Sequence, residues 1–334
     1  MTTAGTPPGN LISADPSSQS WCEGDPGTHG DLLRKYILTK VLKMEDSLTR
    51  ATSLTKAASR QTYFTIRYLV DRNLAEDAYR AYGYFRWLDD VIDADQRQAS
   101  DKLALFSRQE AILNSCYRGE IPDDLCPEEW ILADLIRHDP EKNSGLQVYL
   151  RNMMDVIGFD ARRCGKLISQ AELSDYSQKL ALAVTEALYY FFGNEDSSPP
   201  HPARYLAVTA AHIVHMLRDA LEDGEAGYYN IPVEYLEQRG ISPKDVTSEA
   251  YREWVCARVH LAREYFEKSR DCTAKVRNWR CRLAGFAYTA RFEWMLNVIE
   301  RDNYCLRAKY PERKRLRAGL SMTWSTLRAL FGDF

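Results

Sequence analysis

Two pairs of aspartates, each pair spaced four residues apart, are the side chains in this sequence best placed to do chemistry. Asp89 and Asp93 stand in LAEDAYRAYGYFRWLDDVIDAD at 74–95, and Asp219 and Asp223 in RYLAVTAAHIVHMLRDALEDGEAGYYNIP at 204–232. Neither acidic core of these stretches holds a proline, and both read as helix, where residues three and four apart share a face. The same spacing adds Tyr82 and Arg86 to the first face and His212 and His215 to the second, and Gly224 and Gly227 are expected to end the second helix. Like charges four apart weaken a helix by roughly 0.2–0.5 kcal/mol, and Asp is a mediocre helix former, so propensity does not select this pattern. One such pair is commonly a solvated face. Two of them beside large neighbours, Tyr84, Phe85, Trp87 and Leu88 in one and Ile213, Val214, Met216 and Leu217 in the other, predict helices buried on most sides whose carboxylates need a partner. Mg²⁺ suits that role, because it takes carboxylate oxygens from one or two side chains and completes its shell with water and phosphate. Facing acidic helices would trap a diphosphate and make it a good leaving group. The allylic cation left behind would need a dry apolar pocket and aromatic faces.

The elements that must position these faces are helices. Glycine at 17 and proline at 13 are low counts for 334 residues, while Ala, Leu, Arg, Glu and Lys are abundant, which predicts an all-α protein. Residues 1–30, rich in Pro, Gly, Ser and Thr, are expected to be a disordered tail, with 31–334 as the catalytic domain. Helical patterns are separated by polar breaks such as EIPDD at 120–124, NEDSSPPHP at 194–202 and GISPKD at 240–245. Tyr176, Leu180, Val184, Leu188 and Phe191 keep the rhythm of a core-facing helix until Gly193 and Asn194 stop it. Asp155 and Asp160 read as turn or capping residues. A hydrophobic content of 45% supports a sizeable core, and a formal charge of -3 argues against nucleic acid as a partner. The eight cysteines include no CxxC pair, the N-terminus lacks the basic-then-apolar order of a signal peptide, and no stretch of about 18 apolar residues occurs, so a cytoplasmic protein with reduced thiols is expected.

Over roughly Leu54 to Lys314 the sequence resembles the squalene/phytoene synthase family. YGYFRWLDDVID is similar to that family's first aspartate motif, and HMLRDALEDGEAGYYNIPVEYLEQRGIS to its second. The resemblance implies a single-domain isoprenoid-synthase helical bundle around a central apolar cavity. It also implies a magnesium-dependent prenyltransferase that condenses two allylic prenyl diphosphates, farnesyl or geranylgeranyl, head to head through a cyclopropyl intermediate. Asp89, Asp93, Asp219 and Asp223 would then be the catalytic metal ligands, with Tyr82, Arg86, Arg218 and Lys309 facing diphosphate. SDYSQKLALAVTEALYYFFG at 174–193 resembles the channel-lining segment, with Tyr176 and Val184 in matching places, and FEWMLNVIERDNYCLRAK at 292–309 resembles the C-terminal substrate-binding helix.

Several positions depart from the family pattern. His212 and His215 replace Gln and Asn, and a neutral imidazole can bind metal, donate to diphosphate or simply pack, so His215 is a candidate metal ligand and His212 a candidate channel residue. Thr185 replaces a glycine in the channel wall and should narrow it. Phe292 replaces a tyrosine and lacks its hydroxyl, and Lys309 replaces an arginine, keeping the charge but not the bidentate fork. These departures keep a second reading open, a terpene cyclase that ionises one prenyl diphosphate in the same scaffold. A third, a non-catalytic scaffold, is opposed by the four acidic positions, since a scaffold has no need of unpaired buried charge. NADPH stays open: squalene formation consumes a hydride, phytoene formation does not, and no GxGxxG turn after a strand is present to read. The basic stretch Arg301–Arg317, followed by Leu320, Trp324, Leu327 and Phe331, fits either peripheral contact with an anionic membrane or a solvated terminal helix. The sequence does not give the oligomeric state.

Overall fold

Serine side chains start the helices that frame the site. Ser59 accepts from the Thr62 amide at 3.1 Å, Ser144 from Gln147 at 2.9 Å and Ser248 from Tyr251 at 3.2 Å. Ser169 forms a reciprocal capping box with Glu172. Each cap satisfies amides that a first helical turn leaves without partners. The structure is a computed structural model that describes residues 46–92, 99–139, 141–192 and 201–311, all within the unit Lys43–Phe334.

Helix α1 covers 46–58. It is followed by α2 (Arg60–Leu69), α3 (Ala75–Ile92), α4 (Ala99–Tyr117), α5 (Pro127–Arg137), α6 (Gly145–Arg163) and α7 (Gln170–Phe191). A short 3-10 turn, Pro202–Tyr205, then leads into α8 (Leu206–Glu225), α9 (Val233–Arg239), α10 (Glu249–Lys275) and α11 (Trp279–Arg301). The described chain is all-α, as expected, and its one strand-like pairing is an isolated bridge between Ile168 and Pro232. Among the described residues no helix is long and apolar enough to cross a membrane. The expected tail at 1–30 and the terminal stretch at 312–334 lie outside the described residues.

The apolar side chains gather in two clusters. One is built mainly from α1–α6, with Tyr84, Leu88, Ile131, Leu135 and Leu150 at its centre. The other joins α8–α11 to the start of α7 through Leu173, Val214, Val255, Phe266 and Leu296. Helix α7 serves both, giving Leu173 to the second cluster and Ala183 and Phe191 to the first. Midway along it, Tyr176, Leu180 and Val184 are half-buried, with Tyr176 packed on Phe159 at the edge of the second cluster. Periodicity alone read that row as core-facing, whereas the family resemblance implied a channel wall for Tyr176 and Val184. The row actually buried is the adjacent one, Leu173, Ser177, Ala181 and Thr185.

Two devices fix α3. At Gly83 an added Cβ would lie 2.8 Å from the Ala51 carbonyl oxygen, so α1 and α3 cross at a distance only glycine permits. Further along, the buried Tyr84 hydroxyl donates to Gln109 at 3.1 Å, and Gln109 donates to Glu129 at 2.8 Å. Arg108 completes the link with bonds of 2.7 and 2.9 Å to the same carboxylate. Burial raises the Glu129 carboxyl, but these donors overcome it and hold the group down at about 2. The network ties α3, α4 and α5 together.

Candidate active site

The last turn of α3 carries the first acidic group. Arg86 reaches Asp89 at 3.2 Å and Asp90 through both Nε, at 3.1 Å, and Nη2. Asp89 is 50% exposed, so this end of α3 opens to solvent although the helix behind it is buried. A buried carboxylate without a partner is not found here: Asp89 and Asp90 are exposed and share Arg86, whose single positive charge offsets one of the two. Tyr82 lies one turn earlier, half-buried against the first cluster. Asp93 lies outside the described residues.

The second group forms where α8 leaves the other core. Residues Ala210–Leu217 are buried except His215, and from Arg218 onward the helix emerges. Arg218 pairs with Asp219 through Nε at 2.6 Å and through Nη2, and Asp219 keeps 33% exposure. Asp223 accepts from Asn230 Nδ2 at 3.0 Å. The helix stop fixes its backbone: Gly227 takes a left-handed φ of 87°, and the Tyr228 amide closes onto the Asp223 carbonyl at 2.7 Å. Gly224 does not end the helix but sits inside its last turn, since only Gly227 supplies the positive φ that the stop requires.

Asp223 is the most perturbed acid of the site. Burial, then the Asp219 charge, pushes its carboxyl up to about 7, against a downward pull from Arg163. Arg163 ends α6 as a buried guanidinium, 2.7 Å from Asp160, with its plane over the rings of Phe159, Tyr176 and Tyr228 at 5.6, 5.2 and 5.2 Å. The Tyr176 hydroxyl donates to Asp160 at 2.9 Å, and burial pushes the Asp160 carboxyl up while Arg163 holds it back. Asp155 and Asp160 are therefore helical residues of α6, not turn or capping groups, and Asp155 pairs with Lys179 at 3.3 Å.

The two histidines differ. His212 is buried with its ring edge-on to Tyr176 at 5.0 Å, and its Nδ1 has no hydrogen-bond partner. Burial, reinforced by Arg163 and Arg258, pushes it down to about 3, so it stays neutral. His215 is half-buried, its ring 4.7 Å from Phe292, which in turn stacks edge-on with Tyr288 at 4.9 Å. Val184 faces the half-open row of α7, whereas Thr185 is buried with its hydroxyl lacking a partner. Lys309 is exposed. Beside it, burial pushes the Tyr310 hydroxyl up, and the Asp302 and Asp219 charges add to this, which places the segment after α11 near the second acidic group.

Sequence reasoning missed Asp90, Arg163, Asn230 and Tyr310, and it misread Asp160. The Asp160–Arg163 spacing of three was the available signal for an ion pair, although its burial was not readable. Asp219 and Asp223 fit a divalent cation: they share one face of α8, and burial together with the Asp219 charge raises the Asp223 carboxyl, a strain that a bound cation would relieve. Among the described residues no three His, Cys, Asp or Glu side chains converge on one point.

An all-α chain that ends two core helices in aspartates, with a half-open apolar row on the helix between the cores, has the construction of a helical prenyl-transfer enzyme. A family model described as squalene/phytoene synthase matches residues 55–319, and the chain belongs to that family. It is accordingly a prenyltransferase. It is 23% identical over 199 residues to a presqualene diphosphate synthase of Rhodopseudomonas palustris, spanning 59% of this chain and 68% of that one. It is 26% identical over 203 residues to the presqualene diphosphate synthase of Zymomonas mobilis, spanning 60% of this chain and 66% of that one. Among solved structures, squalene synthase HpnC from Alicyclobacillus acidocaldarius superposes with a TM-score of 0.65 at 20% identity, covering 80% of this chain and 97% of that one. A dehydrosqualene synthase in complex with ligand gives 0.64 at 18% identity, covering 86% and 96%. These two likenesses establish the fold.

Proposed function

We propose that this chain couples two allylic prenyl diphosphates head to head in a magnesium-dependent reaction, with a presqualene-type diphosphate as its first product. The observation that carries the reading is the pair Asp219 and Asp223 at the end of α8, with the Asp223 carboxyl raised by burial and by Asp219, and Tyr176 of the half-buried α7 row beside Asp160 and Arg163, whose charges act on it. Asp89 on α3 and Asp93 of the same sequence motif, with Asp219 and Asp223, would hold the metal, which when bound neutralises charge developing on the departing diphosphate. Arg86, Arg218 and Lys309 supply further positive charge toward that group, and Tyr82 borders it. Arg163 and Asp160 act behind Tyr176 and Asp223, fixing the ring and setting the field at the carboxylate. Tyr176, Leu180 and Val184 offer an apolar surface for prenyl chains, and a ring face such as that of Tyr176 steadies a carbocation while excluding water. Neutral His212, with an open Nδ1, offers one polar contact in that wall. His215 can serve the metal or pack on Phe292, and Thr185 sets the wall's thickness from behind.

A cyclase acting on a single prenyl diphosphate is less favoured, because the family match covers the segments of both aspartate motifs. Incubation with farnesyl or geranylgeranyl diphosphate and Mg²⁺, followed by mass spectrometry before and after phosphatase treatment, tests the proposal. The expected product carries twice the substrate's carbon count. Products confined to the substrate's own carbon count would overturn it.

A further inference from the structure

Among the described residues, the large exposed aromatics lie on two helices that pack on each other, α2 and α11. Helix α11 runs antiparallel to α2: Arg291 donates to Gln61 at 3.4 Å, and Arg280 pairs with Asp71 just past the end of α2. Gln61, Phe64 and Tyr68 are spaced three and four apart on α2, so both rings share the helix face of Gln61, which Arg291 of α11 tethers. Phe64 and Tyr68 are nevertheless 49% and 66% exposed, and Trp279, next to Arg280, is 58% exposed. The first two rings stack at 6.1 Å, which holds an apolar plate on the surface rather than two mobile side chains.

The two helices bring mostly cations to this seam, and its acid, Asp71, is paired with Arg280. Residues 51–70 contain Lys56, Arg60 and Arg67 and no acid, and residues 272–292 contain Lys275, Arg277, Arg280, Arg282 and Arg291 and no acid, in a chain whose net charge is -3. Arg67 lies over the Tyr68 ring at 5.9 Å, so a cation and an aromatic share one contact surface. Aromatic rings flanked by arginine and lysine suit the boundary between anionic headgroups and acyl chains, where the rings enter the apolar zone and the cations stay with phosphate. We infer that the α2/α11 seam is a membrane-docking surface that seats the protein on an anionic lipid bilayer. It is separate from the basic stretch that begins at Arg301.

Sedimentation of the full chain with phosphatidylglycerol/phosphatidylcholine vesicles tests this. The wild type should sediment with the mixed vesicles and not with phosphatidylcholine alone, and about 1 M salt should release it. Phe64→Ser with Trp279→Ser should weaken partitioning at least roughly tenfold, and each of Arg67→Gln and Arg277→Gln roughly fivefold. Circular dichroism should show unchanged helix content in all of them. Changing Arg313, Lys314 and Arg315 to Gln in the full chain should leave most of the binding. Loss of binding in that variant alone would overturn the inference in favour of the terminal stretch. Light scattering in which the wild type is a dimer and Phe64→Ser a monomer, without vesicle binding, would overturn it in favour of a second copy.

Discussion

Magnesium binding should be strongly pH-dependent because of one group. The Asp223 carboxyl, raised to about 7 by burial and the neighbouring Asp219, must lose its proton before it can ligate a cation. The apparent dissociation constant therefore carries a factor of one plus ten to the power of pKa minus pH. That factor is roughly 11 at pH 6 and roughly 1.1 at pH 8, a tenfold change in affinity. Isothermal titration in buffers of different ionisation enthalpy should detect release of about half a proton per bound ion at pH 7. Asp219→Asn removes the like charge, so its affinity should be lower at every pH but should vary less between pH 6 and 8. Stability gives a second reading with the sign worked out. A carboxyl raised in the fold stabilises it below the unfolded value and loses that contribution as pH rises through about 7, so the metal-free protein should become less stable from pH 6 to 8 on this group's account. Affinity that is flat across this range, with no proton release, would refute the assignment of Asp223 as a desolvated ligand.

Three further outcomes are expected. Asp89→Asn and Asp219→Asn should each lower diphosphate release on the order of 100-fold or more while shifting the unfolding free energy by less than about 1 kcal/mol, because both side chains are solvent-facing; phosphate release and urea titration measure the two effects. Stability conferred by Glu129, whose carboxyl is held down at about 2, is present above the unfolded value and lost as pH falls toward 2. The shift corresponds to about 3 kcal/mol, trimmed to about 2 by solvent screening at Arg108, which is 40% exposed, so Glu129→Gln should destabilise at pH 7 by about that amount and flatten the acid limb of the urea midpoint. Gly83→Ala should destabilise by about 1–3 kcal/mol, because its new methyl meets the backbone of α1 and not a movable side chain; an unchanged melting temperature would mean that the α1–α3 crossing is looser than drawn.

The acidic faces were legible because i, i+4 periodicity is local: Asp219 and Asp223 share a face whatever surrounds them. The helices were legible for the same reason, although the serine caps that start them were not read. What surrounds a face is not local. Arg86 turned out to pair with both aspartates at the exposed end of α3, while Asp223, the same residue type at the same spacing, is raised by burial and by Asp219, with Asp160 adding to this and Arg163 opposing it, both brought in from α6. Helix α7 sharpens the point. Val184 and Thr185 are neighbours in sequence but about 100° apart around the helix. The i, i+4 pattern of Tyr176, Leu180 and Val184 implied a packed stripe, yet the small residues beside it, Ser177, Ala181 and Thr185, are the buried row. Small side chains let α7 approach its neighbours closely, and the larger ones are then left at the edge of both cores. A stripe of large apolar residues next to a stripe of small ones thus marks the opposite of what hydrophobicity alone suggests, because the small stripe takes the helix contact and the large stripe is free to line an opening.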